Sequence, residues 1–220
     1  SLADKLDNLA ATFLRGLIPT GSQDPFALRR QTIGAVNILT DGKIHWDIRR
    51  GIEAALALLP GDEETKKTVL SQIEDFFRQR IKAIMLDEGI AYDIIDAVLA
   101  GPVDDIYALF LKARSMAESQ LKGEAELRQA VTRLANITKG KTGGKVDPSL
   151  FTEDVEKKLQ DAFEAVSAKA LPLFASYEYG KALPALKELT APINDYLDNV
   201  MVMVDDEAVK NNRISQLLAT

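Results

Sequence analysis

One short segment of the chain combines the residue types that suit RNA binding. Between Glu126 and Asp147 there are five cationic residues and no carboxylate, whereas acids are frequent on both sides. Lys and Arg side chains hold phosphates, and amide and hydroxyl side chains pair with the edges of unstacked bases. The segment therefore suits a local RNA contact, for which the candidate residues are Arg128, Gln129, Thr132, Arg133, Asn136, Lys139, Lys141 and Lys145.

A helix must position these side chains. At about 100° per residue, the stretch 127–139 separates an apolar side from a polar side. Asn136 lies opposite the centre of the apolar stripe, and the cations flank it. An ordinary solvated helix face followed by a flexible basic loop explains the same pattern, because charged outer faces are the default for amphipathic helices. The apolar side comprises Leu127, Ala130, Val131, Leu134, Ala135, Ile137 and Thr138.

The loop after this helix contains Gly140-Lys141-Thr142 but does not fit a nucleotide-binding phosphate loop. That motif needs a glycine five residues earlier, where Ala135 stands, and it follows a strand rather than a helix. We expect the glycines of this loop to provide flexibility and its lysines to be available to RNA phosphates.

No catalytic or metal site is expected in the chain. It has no cysteine and a single histidine, His45, which lies in a predicted loop beside Trp46. One imidazole cannot supply a nucleophile with its base and orienting acid, nor a metal site. We therefore expect no cofactor in this chain.

Composition limits the function classes further. Of the 220 residues 46% are hydrophobic, and helix-forming residues dominate between sparse Gly and Pro. The net charge of −6 argues against a general nucleic-acid coat protein or a DNA-binding role, so any RNA contact must be local. No apolar run reaches membrane-spanning length, and the chain begins in an amphipathic helix without a signal-peptide pattern. We expect a cytoplasmic chain that starts inside a longer protein.

The elements read as all-α throughout. Helices are predicted from Leu2, from Asp24 to Asp41, and from Asp47 to Leu59. Further helices are predicted at about 63–86, 91–100, 103–121 and 124–139, and from about Thr152, Tyr177, Ala191 and Asp206. The charge pattern suggests a boundary near Lys122-Gly123. We predict three parts, at 1–60, 61–122 and 123–220.

Near the C-terminus, apolar residues continue at helical spacing from Ile193 to Val204. A packed core helix explains this stripe more simply than a binding site does. Asn199 and Met203 would then share one helix face and could contact either RNA or protein.

The amino-acid sequences of two segments resemble those of one known family. The string from Ile193 to Arg213 is similar to the C-terminal helices of the anticodon-binding domain in bacterial glycyl-tRNA synthetase beta subunits, and Leu17 to Arg30 resembles another segment of that family. A helix with an Arg-x-x-Asn pattern, like Arg133 to Asn136, precedes the C-terminal helices there. The resemblance implies a helical anticodon-binding bundle of the DALR type.

The start of the chain, Ala3 to Asp7, resembles the closing helix of HD-type phosphohydrolase domains. The resemblance makes residues 1–60 the end of an HD-like helical region and residues 61–122 connecting helices. Because the histidines of an HD metal site are missing, Asp4 and Asp7 are better explained as acids of a first helical turn.

The resemblance also implies partners and a role. In this family the alpha subunit aminoacylates with ATP, Mg²⁺ and glycine, while the beta subunit recognises tRNA-Gly, in a heterotetramer of two alpha and two beta chains. Anticodons for glycine end in two cytosines, whose amine donors and ring acceptors an amide such as Asn136 can match. Arg213 joins the candidate phosphate contacts.

Two alternatives remain open. One is the anticodon-binding domain of another synthetase, such as the arginyl or cysteinyl type, which the string from Asp24 to Arg30 disfavours. The other is a helical protein-interaction or subunit-docking fragment without an RNA role. RNA binding and protein docking differ in their response to salt, since RNA binding through several cations weakens steeply as the salt concentration rises.

Overall fold

The computed structural model describes residues 1–21, 23–119 and 125–220, without the side chains of Ala125 and Arg128. The fold is all-α, as predicted. Within the described residues the only β-type pairings are two isolated bridges, Thr20 with Gln23 and Asp47 with Asp105. The helices are α1 (Leu2–Leu14), α2 (Leu28–Asp41), α3 (Ile48–Ala57), α4 (Glu63–Asp87), α5 (Tyr92–Leu99), α6 (Ile106–Glu118), α7 (Ala125–Thr138), α8 (Asp154–Ala175), α9 (Tyr179–Leu186), α10 (Thr190–Asn199) and α11 (Glu207–Ala219).

Three aspartates begin helices where the sequence predicts a start. The carboxylates of Asp47, Asp62 and Asp206 each accept a hydrogen bond from a backbone amide two or three residues further along. Such caps satisfy amides that have no partner inside the helix. Helix starts were therefore readable from the positions of these acids.

The chain forms two compact units, residues 1–117 and 118–220, each with its own hydrophobic core. In the first unit α1, α3 and α4 pack together around fully buried side chains such as Leu9 and Phe77. In the second unit α8 packs against α9 and α10, and Tyr196 and Leu217 are buried. The predicted boundary at Lys122-Gly123 lies outside the described residues, and the threefold division stays a prediction.

A corner before α3 joins two loops of the first unit. His45 Nδ1 lies 2.8 Å from Asp105 Oδ2, and the Ile48 amide donates to the Asp104 carbonyl at 2.9 Å. The Trp46 ring lies on α3 at Gly51, where an added Cβ would come within 2.1 Å of the indole. The glycine thus permits a close approach that any side chain would block.

One predicted helix start was wrong. Residues Asp24 to Ala27 form a turn, and α2 begins only at Leu28. Ala27 has a left-handed backbone, with φ of 53°, which cannot continue a helix. The Asp24 carboxylate nevertheless caps α2, because it accepts from the amides of Leu28 and Arg29 at 2.8 and 3.0 Å.

The predicted helix from Ile193 to Val204 was also wrong in its second half. Helix α10 ends at Asn199, and Val200 is extended. Beyond it Val200 and Val202 are buried, whereas Met201 and Met203 are exposed. All five residues of the Val-Met-Val-Met-Val run are apolar, so the sequence held no alternation of apolar and polar residues that would have marked the end of the helix.

Candidate nucleic-acid interface

Helix α7 carries most of the candidate residues and packs against α10 and α11. Its buried side is narrower than predicted: Ala130 is fully buried and Leu134 and Ile137 are partly buried, whereas Val131 is 51% exposed. On the other side Gln129, Thr132, Asn136 and Lys139 are exposed, and the side chain of Arg128 lies outside the described part.

Arg133 is paired with a carboxylate from outside the acid-free segment. Its Nη2 lies 2.7 Å from Asp198 Oδ1, and its Nη1 lies 3.5 Å from Asn194 Oδ1. Both partners belong to α10, which no local sequence window could reveal. The pair is exposed on the Asp198 side, at 61% of that side chain, so an incoming phosphate can compete with the carboxylate.

The structure excludes Arg213 as a surface phosphate contact. Only 4% of this residue is exposed, and its guanidinium is paired with the fully buried Glu156, with Nε 3.0 Å from Oε1. It also donates to Thr152 Oγ1 at 2.6 Å and to the Met201 carbonyl at 2.8 Å. Arg213 therefore holds the chain segment after α10 in place.

The Glu156–Arg213 pair is stabilised as charged groups. Burial acts to raise the pKa of Glu156, but hydrogen bonds from Arg213 and from the amides of Glu153 and Thr152 outweigh burial and leave this pKa below its ordinary value. The hydrogen bond to Glu156 correspondingly raises the pKa of Arg213 against the effect of burial. A buried charge pair persists only when its remaining polar groups are hydrogen-bonded in this way.

The basic loop is attached to α11 by hydrogen bonds, which the sequence did not predict. The Gly144 amide donates to Ser215 Oγ at 2.8 Å, and the Asp147 amide donates to Asn212 Oδ1 at 2.7 Å. Asn212 Nδ2 returns a bond to the Asp147 carbonyl at 2.9 Å. At Gly143 an added Cβ would lie 3.1 Å from Leu218, so this glycine serves close packing.

An open groove of about 500 Å³ lies between the end of α7, the start of the basic loop and the segment after α10. We call it the α7 groove. Among the described residues none of those lining it is acidic. Met201 is 73% exposed and Met203 50%, and Lys141 Nζ lies 3.4 Å from Met203 Sδ. The lining residues are Asn136, Ile137, Lys139, Lys141, Leu197, Val200, Met201, Val202 and Met203.

The α7 groove brings together three kinds of chemistry. Methionine thioethers provide an adaptable apolar surface for the face of a base. The exposed amide of Asn136 offers donors and an acceptor for a base edge, and the ammonium groups of Lys139 and Lys141 suit phosphates. Sequence analysis found the amide, the lysines and Met203 as a possible contact, but it did not predict the exposure of Met201, because a core helix was predicted there.

No group of three His, Cys, Asp or Glu side chains among the described residues is placed to hold a metal ion. Asp4 lies in the first turn of α1, where its amide donates to the Ser1 hydroxyl. None of the helices in the described ranges has the length and apolar character needed to cross a membrane.

Comparison with known proteins gives two family matches. Residues 1–100 match the family described as glycyl-tRNA synthetase beta subunit, and residues 127–220 match the DALR anticodon binding domain.

Curated relatives match along the whole chain. The glycine–tRNA ligase beta subunit of Clostridioides difficile (strain 630) is 40% identical over 218 residues, covering 99% of this chain and 32% of the relative. The beta subunit of Aeromonas salmonicida (strain A449) is 39% identical over 224 residues, which cover 99% of this chain and 32% of the relative. The beta subunit of Bacillus subtilis (strain 168) is 38% identical over 221 residues, which cover 100% of this chain and 31% of the relative. The chain thus spans about a third of the length of these relatives.

Proposed function

The chain belongs to the glycyl-tRNA synthetase beta subunit family, as a C-terminal part with a DALR anticodon binding domain, and we propose that it binds tRNA-Gly through its anticodon. In this proposal it works in the cytoplasm within a complete glycine–tRNA ligase. Aminoacylation, with ATP and Mg²⁺, belongs to an alpha subunit, and two alpha and two beta chains form the enzyme.

The observation that carries the proposal is the composition of the α7 groove. An exposed amide, two lysines and two exposed methionines line it, and no acidic residue does so among those described. A carboxylate there would repel phosphates, whereas this lining offers a contact for each part of an unstacked nucleotide.

Each candidate residue has a role in the proposal. Asn136 reads an anticodon cytosine, because its amide can accept from the exocyclic amine and donate to a ring acceptor. Lys139, Lys141 and Lys145 contact backbone phosphates near the groove. The contact extends along the RNA toward the N-terminal end of α7, through the remaining candidates Arg128, Gln129, Thr132 and Arg133.

The first prediction concerns Asn136. Affinity for tRNA-Gly and for a tRNA with altered anticodon cytosines is measured with the wild-type chain and with Asn136→Ala. We expect the variant to lose about 1–3 kcal/mol of discrimination between the two RNAs, the usual value of a good base contact.

The matched control is Asn37→Ala on α2, because Asn37 is exposed and lies outside the α7 groove. This control should keep the wild-type ratio of affinities. Equal affinity of the wild-type chain for both RNAs would refute base reading. It would favour the alternative that the chain is a protein-interaction fragment. An unchanged ratio in Asn136→Ala would remove Asn136 from the site.

A further inference from the structure

A second pocket, in residues 1–117, holds two arginines that the proposed function does not use. It has a volume of about 380 Å³, and Arg29 and Arg80 both line it, together with the amide side chains of Gln72 and Gln79. We call it the two-arginine pocket. It lies where the loop before α2 meets the middle of α4.

Packing holds the guanidinium of Arg80 in place. Its Cζ lies 4.0 Å from the centroid of the Phe76 ring, and Phe76 is itself packed edge-on against Phe13 at 5.2 Å. Arg80 Nη1 donates to Gln79 Oε1 at 2.8 Å. A stacked, half-buried guanidinium has lost much of its freedom before any ligand arrives.

The backbone holds Arg29 in a similar way. Its Nη2 donates to the Gly21 carbonyl at 2.7 Å, and its amide donates to Asp24 Oδ2. The Asp24 carboxylate is thus occupied in capping α2, since it also accepts from the Leu28 amide. It makes no ion pair with either arginine of the pocket within the described part of the chain.

The lining of the two-arginine pocket includes two guanidinium groups and one carboxylate, that of Asp75. Asp75 Oδ1 lies 3.7 Å from Nε of Arg78, a residue that does not line the pocket. Burial, together with the positive charge of Arg29, lowers the pKa of Arg80 in spite of Asp24. Two like charges held in one partly desolvated pocket repel each other, and an anion bound between them relieves that repulsion.

Hydrogen-bonding capacity points to the same class of ligand. A guanidinium has five N–H donors and no acceptor. The side chains of Arg29 and Arg80 each make one hydrogen bond among the described residues. The remaining donors match the several oxygens of a phosphate, which arginine binds in a bidentate manner.

We propose that the two-arginine pocket is a phosphate-binding site, in which Arg29 and Arg80 hold the oxygens of one phosphate group. The phosphate belongs either to an RNA backbone or to a small phosphorylated ligand. The site lies within residues 1–117 and does not depend on the α7 groove, which belongs to residues 118–220.

The test titrates the full chain with inorganic phosphate while sodium chloride keeps the ionic strength constant, and follows the arginine Nε–H signals by NMR. We expect saturable shifts in the wild type. Arg29→Gln and Arg80→Gln should each weaken phosphate binding at least about tenfold, because each removes charge-assisted hydrogen bonds worth more than ~1.4 kcal/mol. Arg30→Gln is the matched control, since Arg30 is exposed, adjacent in sequence and outside the pocket.

Two results would overturn the proposal. One is the absence of any shift beyond that caused by chloride, and the other is an Arg30→Gln variant as impaired as Arg80→Gln. Arg80→Lys keeps the charge and should retain part of the affinity, which separates loss of the site from loss of folding. Dispersed amide spectra of every variant check the fold.

A second arm identifies the source of the phosphate. If Arg80→Gln also weakens tRNA-Gly binding and Arg30→Gln does not, the site holds an RNA phosphate. If only inorganic phosphate binding is lost, the ligand is a small phosphorylated molecule. Discrimination between anticodons, which tests the α7 groove, should stay at the wild-type level in both arginine variants.

Discussion

At the scale of single residues, Arg213 is a buried cation that supports the proposed RNA site without being able to touch RNA. The sequence analysis predicts it as a phosphate contact because a basic side chain suits phosphate. The structure instead buries it against Glu156 and lets it hold the Met201 carbonyl. Met201 lines the α7 groove, so Arg213 positions part of the groove through this hydrogen bond, from inside the fold.

The buried pair yields a prediction about stability. Replacing Glu156 with Gln should lower the free energy of unfolding by about 3–5 kcal/mol, because the Arg213 charge stays buried without a partner. Denaturant unfolding measures this change. A Glu156→Gln/Arg213→Met double variant should lose clearly less than the sum of the single variants, since it removes both charges. Strict additivity would show that the two side chains are not coupled.

The same pair makes stability depend on pH. The folded-state pKa of Glu156 lies below its ordinary value of 4.5, so the charge contributes stability above about pH 4.5. That contribution is lost as the pH falls through the lowered folded-state pKa. The difference in unfolding free energy between wild type and Glu156→Gln should therefore shrink as the pH is lowered below about 4.5. A difference that does not change with pH would contradict this assignment.

At the scale of elements, the attachment of the basic loop to α11 is the feature with the clearest consequence. Asn212→Ala removes the acceptor of the Asp147 amide and the donor to the Asp147 carbonyl. Because a lost hydrogen bond costs about 1 kcal/mol, we expect the Asp147 amide to exchange its hydrogen at least about fivefold faster.

Hydrogen exchange by NMR measures this change at a single amide. Asn211→Ala is the matched control, because the neighbouring side chain is exposed and makes no hydrogen bond to the loop among the described residues. Equal acceleration in both variants would indicate general loosening of α11 rather than loss of the attachment.

Sequence reasoning succeeded where the cause of structure is local. Aspartate caps fixed the starts of α3, α4 and α11, and apolar periodicity with Gly and Pro breaks gave an all-α fold. It failed where contacts with distant parts of the chain determine the local structure. The apolar spacing through Val204 predicted a helix, whereas the chain leaves the helix after Asn199 and buries Val200 and Val202 there.

In the candidate site, too, local features were predictable and contacts with distant residues were not. Exposure of Gln129, Asn136 and Lys139 followed from their place on one side of a helix. The partner of Arg133 could not be predicted, because Asp198 lies 65 residues further along the chain. The same holds for the burial of Arg213 by Glu156, across 57 residues.

At the scale of the whole molecule, a net charge of −6 coexists with a local cationic site. Screening by salt should therefore weaken tRNA binding through the few lysines at the contact. Lys139→Gln and Lys141→Gln should each make the slope of log affinity against log salt shallower by about 0.7, the value for one phosphate contact on single-stranded RNA.

A titration of tRNA-Gly at several salt concentrations measures these slopes. Lys158→Gln on α8 is the control of equal charge change, because Lys158 is exposed and does not line the α7 groove. If this control changed the slope as much as the groove variants, the lysines would act through the general field and not through contacts.

The close approach of Trp46 to Gly51 gives the molecule a built-in optical probe. Trp46 is the single tryptophan of the sequence, and it belongs to the unit formed by residues 1–117. Intrinsic indole emission therefore reports on that unit, whereas circular dichroism sums the helices of both. Following one melt by the two signals separates the stability of the part with the two-arginine pocket from that of the part with the α7 groove.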